Sequence, residues 1–240
     1  LFGNRSARIP VVASRTAAVQ DLLAHRFPEA VPQAGWIRGV VATGLPALDD
    51  ILPSGGFQRG RLAVWTPGGG AAALLRATAR CTVAGGERVV WVDATGTLTC
   101  AAWRTGPLLV QPTDPLAALR AAEELARSGG FALVVADGVE PDASRMVRVS
   151  RAAHEGGAAL VLLTNASAVA TLRLRSRPLV TPRASAGRLG EPLAPRAVQV
   201  RIEARASGWQ ASTTIALAVW HDDHRLSLDL EHPDRRGERR

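Results

Sequence analysis

The apolar positions of this chain gather into short continuous runs: LAVW (62–65), RVVWV (88–92), FALVVA (131–136) and AALVLL (158–163). Unbroken runs of that length are the mark of strands buried on both faces, as in a parallel sheet covered by helices. Strands are expected at 61–66, 88–92, 107–110, 131–136 and 158–163. Helices are expected in the intervals, at 70–84, 114–128 and 142–155. The repeated strand–helix–strand order predicts an α/β fold with a doubly wound, mostly parallel sheet.

Beyond Asn165 the pattern changes. Segments 169–175, 196–205, 211–220 and 225–230 read as strands with no long helix between them, which predicts antiparallel edge strands near the C-terminus. The Pro- and Gly-rich stretch 176–195 reads as a loop. Near the N-terminus, residues 16–27 carry a short helical pattern with Val19, Leu22, Leu23 and Phe27 on one side, closed by Pro28 and Pro32. An extended piece follows at 36–42, then a helix start within 43–52 with Thr43 available as its cap. The expected organisation is an N-terminal segment (1–35), a core domain (36–230) and a basic tail (231–240).

Composition adds three things. No apolar run reaches the ~18–20 residues needed to cross a bilayer, so no membrane partner is expected, and a cytoplasmic setting is. Cys81 and Cys100 are the two cysteines, read as buried free thiols rather than a disulfide. The formal net charge is +8, and every one of the 29 basic residues is arginine. A basic balance favours nucleic acid or an acidic protein patch, which also allows nucleoid association. Arginine without lysine, in a chain rich in Ala, Gly and Pro, equally fits a GC-biased genome. Tyr is absent and the six Trp are scattered, which speaks against a stacking platform for single strands.

The candidate chemistry lies at GRLAVWTPGGGAAALL (60–75), an apolar strand, a glycine-rich turn and an alanine-rich helix start. This is the layout of a phosphate-binding loop, G-x-x-x-x-G-K-[ST], whose amides cradle phosphates while Lys and Ser/Thr complete the site. The four defining positions are held by Thr66, Ala71, Ala72 and Ala73, and none matches. Gly68, Gly69 and Gly70 could still present amides to an anion. His221-Asp222-Asp223-His224 reads as turn chemistry, since four consecutive residues do not converge on one tetrahedral ion. No cofactor, metal or catalytic residue is expected.

The string ATGLPALDDILPSGGFQRGRLAVWTPG (42–68) resembles the entry to the RecA recombinase core, with matches at Thr43, Gly44, Leu48, Asp49, Leu52, Gly55, Gly56, Gly60 and Arg61. The likeness continues through WVDA (91–94), ARSGGFALVVADG (126–138), LLTNA (162–166) and AVQVRIEARASGWQASTTIAL (197–217). WIRG (36–39), TGLPALDDILPSGGFQRG (43–60), LAALRAAEELARSGG (116–130) and ATLRLR (170–175) are similar to the ImuA-type proteins, RecA-like partners in bacterial DNA-damage mutagenesis cassettes.

The resemblance implies a RecA-like core with a degenerate phosphate loop. The catalytic glutamate of the D-A-E context is replaced in Asp93-Ala94-Thr95. Asp137 stands where a magnesium-supporting carboxylate belongs, a vestige without a hydroxyl at Ala73. Asn165-Ala166 leads almost directly into ATLRLR, so the second DNA-binding loop is deleted, and GVEPDASR (138–145) is short for the first.

The implied function is a non-catalytic accessory protein of SOS-regulated translesion synthesis. It would contact RecA or an ImuB-like polymerase subunit, with Leu22, Leu23, Phe27, Trp36 and Ile37 as the candidate contact; packing of that helix on its own domain is the equal alternative. Three alternatives stand beside it: a basic DNA-binding protein, a cell-division inhibitor and a residual ATPase. Weak DNA binding would use Arg173, Arg175, Arg177, Arg183 and Arg188, with Arg235, Arg236, Arg239 and Arg240 of the tail.

Overall fold

The structure is a computed structural model, and it describes residues 39–98, 106–179 and 196–219. All of these fall in the compact unit Gly39–Arg240, one of two into which the chain divides. The expected helix 16–27 with Leu22, Leu23 and Phe27, and the positions Trp36 and Ile37, lie outside the described residues. So do Cys100, Arg183, Arg188, His221–His224, the strand at 225–230 and the tail arginines.

The elements in chain order are β1 (Val40–Val41), α1 (Pro46–Asp49), β2 (Phe57–Gln58), β3 (Leu62–Trp65), α2 (Ala71–Ala84), β4 (Val89–Asp93) and β5 (Leu108–Val110). There follow α3 (Pro115–Arg127), β6 (Leu133–Asp137), α4 (Ala143–Gly156), β7 (Ala159–Leu163), β8 (Leu172–Pro178), β9 (Arg196–Ala206) and β10 (Trp209–Val219). The main sheet runs β10-β9-β8-β3-β7-β6-β4-β5. From β8 to β5 every pairing is parallel. β9 and β10 extend the β8 edge in antiparallel sense. β1 and β2 form a separate antiparallel pair.

Alternate residues of the parallel strands point into two different cores. Ala63 and Trp65 of β3, with Trp91, Val135 and Val161, pack beneath Leu74, Leu75 and Ala79 of α2. Leu62 and Val64, with Val90, Val92, Val134, Leu160 and Leu162, pack beneath α3 and α4. Both faces of the central strands are therefore dry, which is why their sequences are continuous rather than alternating.

Helix ends follow local chemistry. Asp114 caps α3, accepting from the Leu116 and Ala117 amides at 2.9 and 2.8 Å with Pro115 just inside, and Asp142 caps α4 through the Arg145 amide at 2.8 Å. The threonines buried in α2 satisfy their hydroxyls by bonding back one turn, Thr78 to the Leu74 carbonyl and Thr82 to the Thr78 carbonyl.

Three expectations are corrected. Thr43 does not cap α1, whose cap position is Leu45 without a side-chain bond. Thr43 instead closes a turn of its own, its hydroxyl accepting from the Leu45 amide and its amide donating to Asp49. Cys81 is exposed rather than buried, because it lies off the stripe of α2 formed by Thr78, Ala79 and Thr82. Residues 176–178 belong to β8, not to a loop, because pairing with β9 carries the ladder out to Pro178–Val200.

Candidate functional site

In open α/β sheets the crevice beyond the carboxyl ends of the strands is where ligands sit. Here that crevice is bounded by the loop Thr66–Gly70 after β3, Asp93 at the end of β4, Asp137 at the end of β6, Thr164 after β7 and Ser176 on β8.

The glycine loop is folded down onto β8. The Thr66 amide donates to the Leu174 carbonyl at 2.9 Å, extending the parallel ladder. Gly68, Gly69 and Gly70 have φ of +91°, +57° and +88°, three successive left-handed conformations that only glycine adopts cheaply. A Cβ on Gly69 would land on the Ser176 carbonyl oxygen, and one on Gly70 would come within 3.1 Å of Leu217 on β10. Ser176 accepts from the buried Trp65 indole N–H at 3.3 Å and donates to the Gly68 carbonyl at 3.2 Å. The same carbonyl accepts from the Ala71 amide at 3.0 Å.

α2 then opens with no side-chain cap. Ala71 is buried, Ala72 partly so, and Ala73 is exposed. The sequence positions read as a degenerate phosphate loop thus occupy a strand–turn–helix with the positive end of a helix macrodipole. Ala72 and Ala73 bring only methyl groups to this helix start.

The two carboxylates behave oppositely. Asp93 and Asp137 are register partners on adjacent parallel strands. Asp93 is fully buried. It accepts from the Thr95 hydroxyl (2.5 Å), the Thr95 amide (3.0 Å), the Leu98 amide (2.9 Å) and the Gln111 side-chain amide (3.2 Å). Burial alone would raise its pKa, but those bonds together outweigh it and hold the carboxyl below its ordinary value. Thr95 is therefore a donor to Asp93 that shapes the loop 94–98.

Asp137 is pushed the other way, first by burial and then by the neighbouring Asp93 charge. The Gly138 amide and the Arg76 guanidinium offset this only in part. Arg76 comes from α2, and its Nε is buried without a hydrogen-bond partner. Beyond β7, the Thr164 hydroxyl donates to Glu140 at 2.9 Å and ties down the loop before α4.

Among the described residues no group of three His, Cys, Asp or Glu side chains could hold a metal ion. No helix among them is long and apolar enough to cross a membrane. A small cleft of about 100 Å³ lined by Phe57, Arg61, Leu160 and Leu172 opens at the opposite, amino end of the strands, away from the crevice. Of the basic candidates that are described, Arg173, Arg175 and Arg177 are exposed on β8.

The sequence reading missed Ser176, Arg76 and Gln111. For Ser176 a signal existed, since LRLRSR alternates and places the serine in phase with Leu172 and Leu174. Arg76 and Gln111 gave none, because Arg76 reaches Asp137 only by packing of α2 on the sheet and Gln111 reaches Asp93 only by pairing of β5 with β4. Comparison with known proteins finds no matching family model and no matching curated relative.

Proposed function

We propose that this chain is a non-catalytic, RecA-like accessory protein of DNA-damage-induced translesion synthesis. It acts by protein contact with RecA, a Y-family-like polymerase subunit, or both, and limits recombination by occupying the RecA contact. The observation that supports this reading is the crevice itself. The loop is pinned to β8 by Ser176 and Gly69, and α2 begins with three alanines rather than with a phosphate-binding cation and a metal-binding hydroxyl.

A triphosphate needs both partners for turnover, and a fold kept without them is suited to contact rather than to hydrolysis. The connections at 138–142 and 164–171 are short, joined to each other by the Thr164–Glu140 bond and held to β3 by the Thr164 and Thr171 amides, which supports a surface not used as a RecA-type DNA-gripping loop.

The test is retention of purified RecA, and separately of the polymerase subunit, on immobilised full-length chain at moderate salt. The reading expects retention of RecA that is lost on deleting residues 1–35. Retention of neither partner overturns it. Mg-ATP should leave the melting temperature unchanged; a rise of several degrees would mean selective binding to the folded state and would overturn the non-catalytic half.

A further inference from the structure

Among the described residues the helical layers stop short of one side of the sheet. On the face covered by α3 and α4, the apolar core ends at Leu62 and Val64 of β3. Arg173 of β8 is the register partner of Val64 and so points to this same side. With the two-residue period of a strand, Arg175 and Arg177 follow on that side. Across β9, Arg205 pairs with Arg173, Glu203 with Arg175, and Arg201 with Arg177. On β10 the next row is Gln210, Ser212 and Thr214. The five arginines and the three β10 residues are all exposed.

The face is thus a flat ladder of five guanidinium groups around one carboxylate. Successive arginines on a strand are about 6.7 Å apart, and neighbouring strands about 4.8 Å. Glu203 is engaged by Arg177 at 2.5 Å and lies 3.8 and 3.9 Å from Arg201 and Arg205. Among the described residues Arg173 and Arg175 have no ion-pair partner.

We propose that this β8–β9–β10 face binds the phosphate backbone of a nucleic acid. Charge decides for a polyanion: five positive groups against one negative on this face of the three strands. The absence of an apolar centre decides against a protein partner, whose interface needs a buried apolar or aromatic anchor ringed by polar groups. This face has guanidinium, hydroxyl and amide groups in its place. Guanidinium forks match phosphate oxygens bidentately, and Ser, Thr and Gln are ordinary phosphate contacts. Among the described residues the face carries no aromatic ring to stack or read bases, so binding is through the backbone and insensitive to sequence. Glu203 restrains three of the arginines in the free protein. This inference does not depend on the RecA-like reading.

The experiment is fluorescence anisotropy of the full chain with a labelled 20-mer, single-stranded and duplex, titrated between 50 and 200 mM NaCl. Compared with the unmodified chain are Arg173→Gln/Arg175→Gln/Arg205→Gln, a control Arg80→Gln/Arg120→Gln on exposed helix positions, and Glu203→Gln. Circular dichroism checks that each is folded.

The slope of log affinity against log salt should become shallower in the triple variant by about 2.7 on the duplex, about 0.9 for each lost contact, and by about 2.1 on the single strand, about 0.7 for each. The control should keep the unmodified slope, and Glu203→Gln should bind more tightly. The proposal is overturned by an unmodified chain that binds neither oligonucleotide, by a triple variant with an unchanged slope, or by a control that loses as much. Binding of polyglutamate in preference to both oligonucleotides overturns it in favour of an acidic protein.

Discussion

The indole N–H of Trp65 and the hydroxyl of Ser176 are hydrogen-bonded at 3.3 Å in the buried interior between β3 and β8. Ser176 hands its own proton to the Gly68 carbonyl. The polar atom of a fully buried tryptophan thereby anchors the glycine loop. Ser176→Ala would leave the indole donor without its acceptor and release the loop. The expected loss is about 1–3 kcal/mol, read by urea unfolding, with a tryptophan emission change in the native baseline.

The glycine loop offers a matched comparison. Gly68 and Gly69 both have positive φ, but a Cβ on Gly68 meets nothing within 4 Å, whereas one on Gly69 meets the backbone of β8. Gly68→Ala should cost only the left-handed conformation, about 1–2 kcal/mol. Gly69→Ala carries that cost and a backbone collision, so a loss clearly above 2 kcal/mol is expected. Equal losses in chemical denaturation would show that the loop does not rest on β8.

The aspartate pair gives opposite pH signatures. The folded-state pKa of Asp93 is depressed, so its contribution is present above the unfolded value of about 3.9 and is lost as pH falls through the folded value. Asp93→Asn should therefore lower stability at pH 7 by about 2 kcal/mol, with the deficit narrowing on acidification. Asp137 has a raised folded pKa, so its contribution is present below about 3.9 and is lost as pH rises through the folded value. Asp137→Asn should raise the melting temperature at pH 7, and the gain should vanish toward pH 3. Parallel melting curves for the two variants against pH would contradict this assignment.

The seam between α3 and α4 is held by charge around Glu123, whose side chain is 9% exposed and which accepts from Arg127 (2.9 Å) and Arg148 (3.2 Å). Burial would raise its pKa, but the two arginines prevail and depress it. Glu123→Ala should cost about 1–2 kcal/mol, because two guanidinium groups lose a partly buried acceptor. Arg148→Ala should cost under about 1 kcal/mol, since Arg148 is mostly exposed and Glu123 keeps Arg127. Thermal denaturation of the two variants separates these outcomes.

Local pattern by itself determined the parallel core. Continuous runs such as LAVW and ALVLL can be stable only where both strand faces are dry, and Asp114-Pro115 and Asp142 mark helix starts by chemistry confined to a few residues. The change of pattern after Asn165 likewise announced the antiparallel edge formed by β9 and β10, and the glycine run followed by three alanines was visible as a strand-to-helix turn.

Only the tertiary structure decided how that turn rests on β8. Ser176 and Gly69 are far apart in the chain, and their contact depends on which strand becomes the neighbour of β3. The opposed titration of Asp93 and Asp137 was equally invisible, because it arises from cross-sheet register and unequal hydrogen bonding. Arg201 and Arg205 could be placed on a strand from their alternation with Val200, Ile202 and Ala204. That they share one face with Arg173, Arg175 and Arg177 follows from inter-strand register, which pairing across the sheet sets and no single segment encodes.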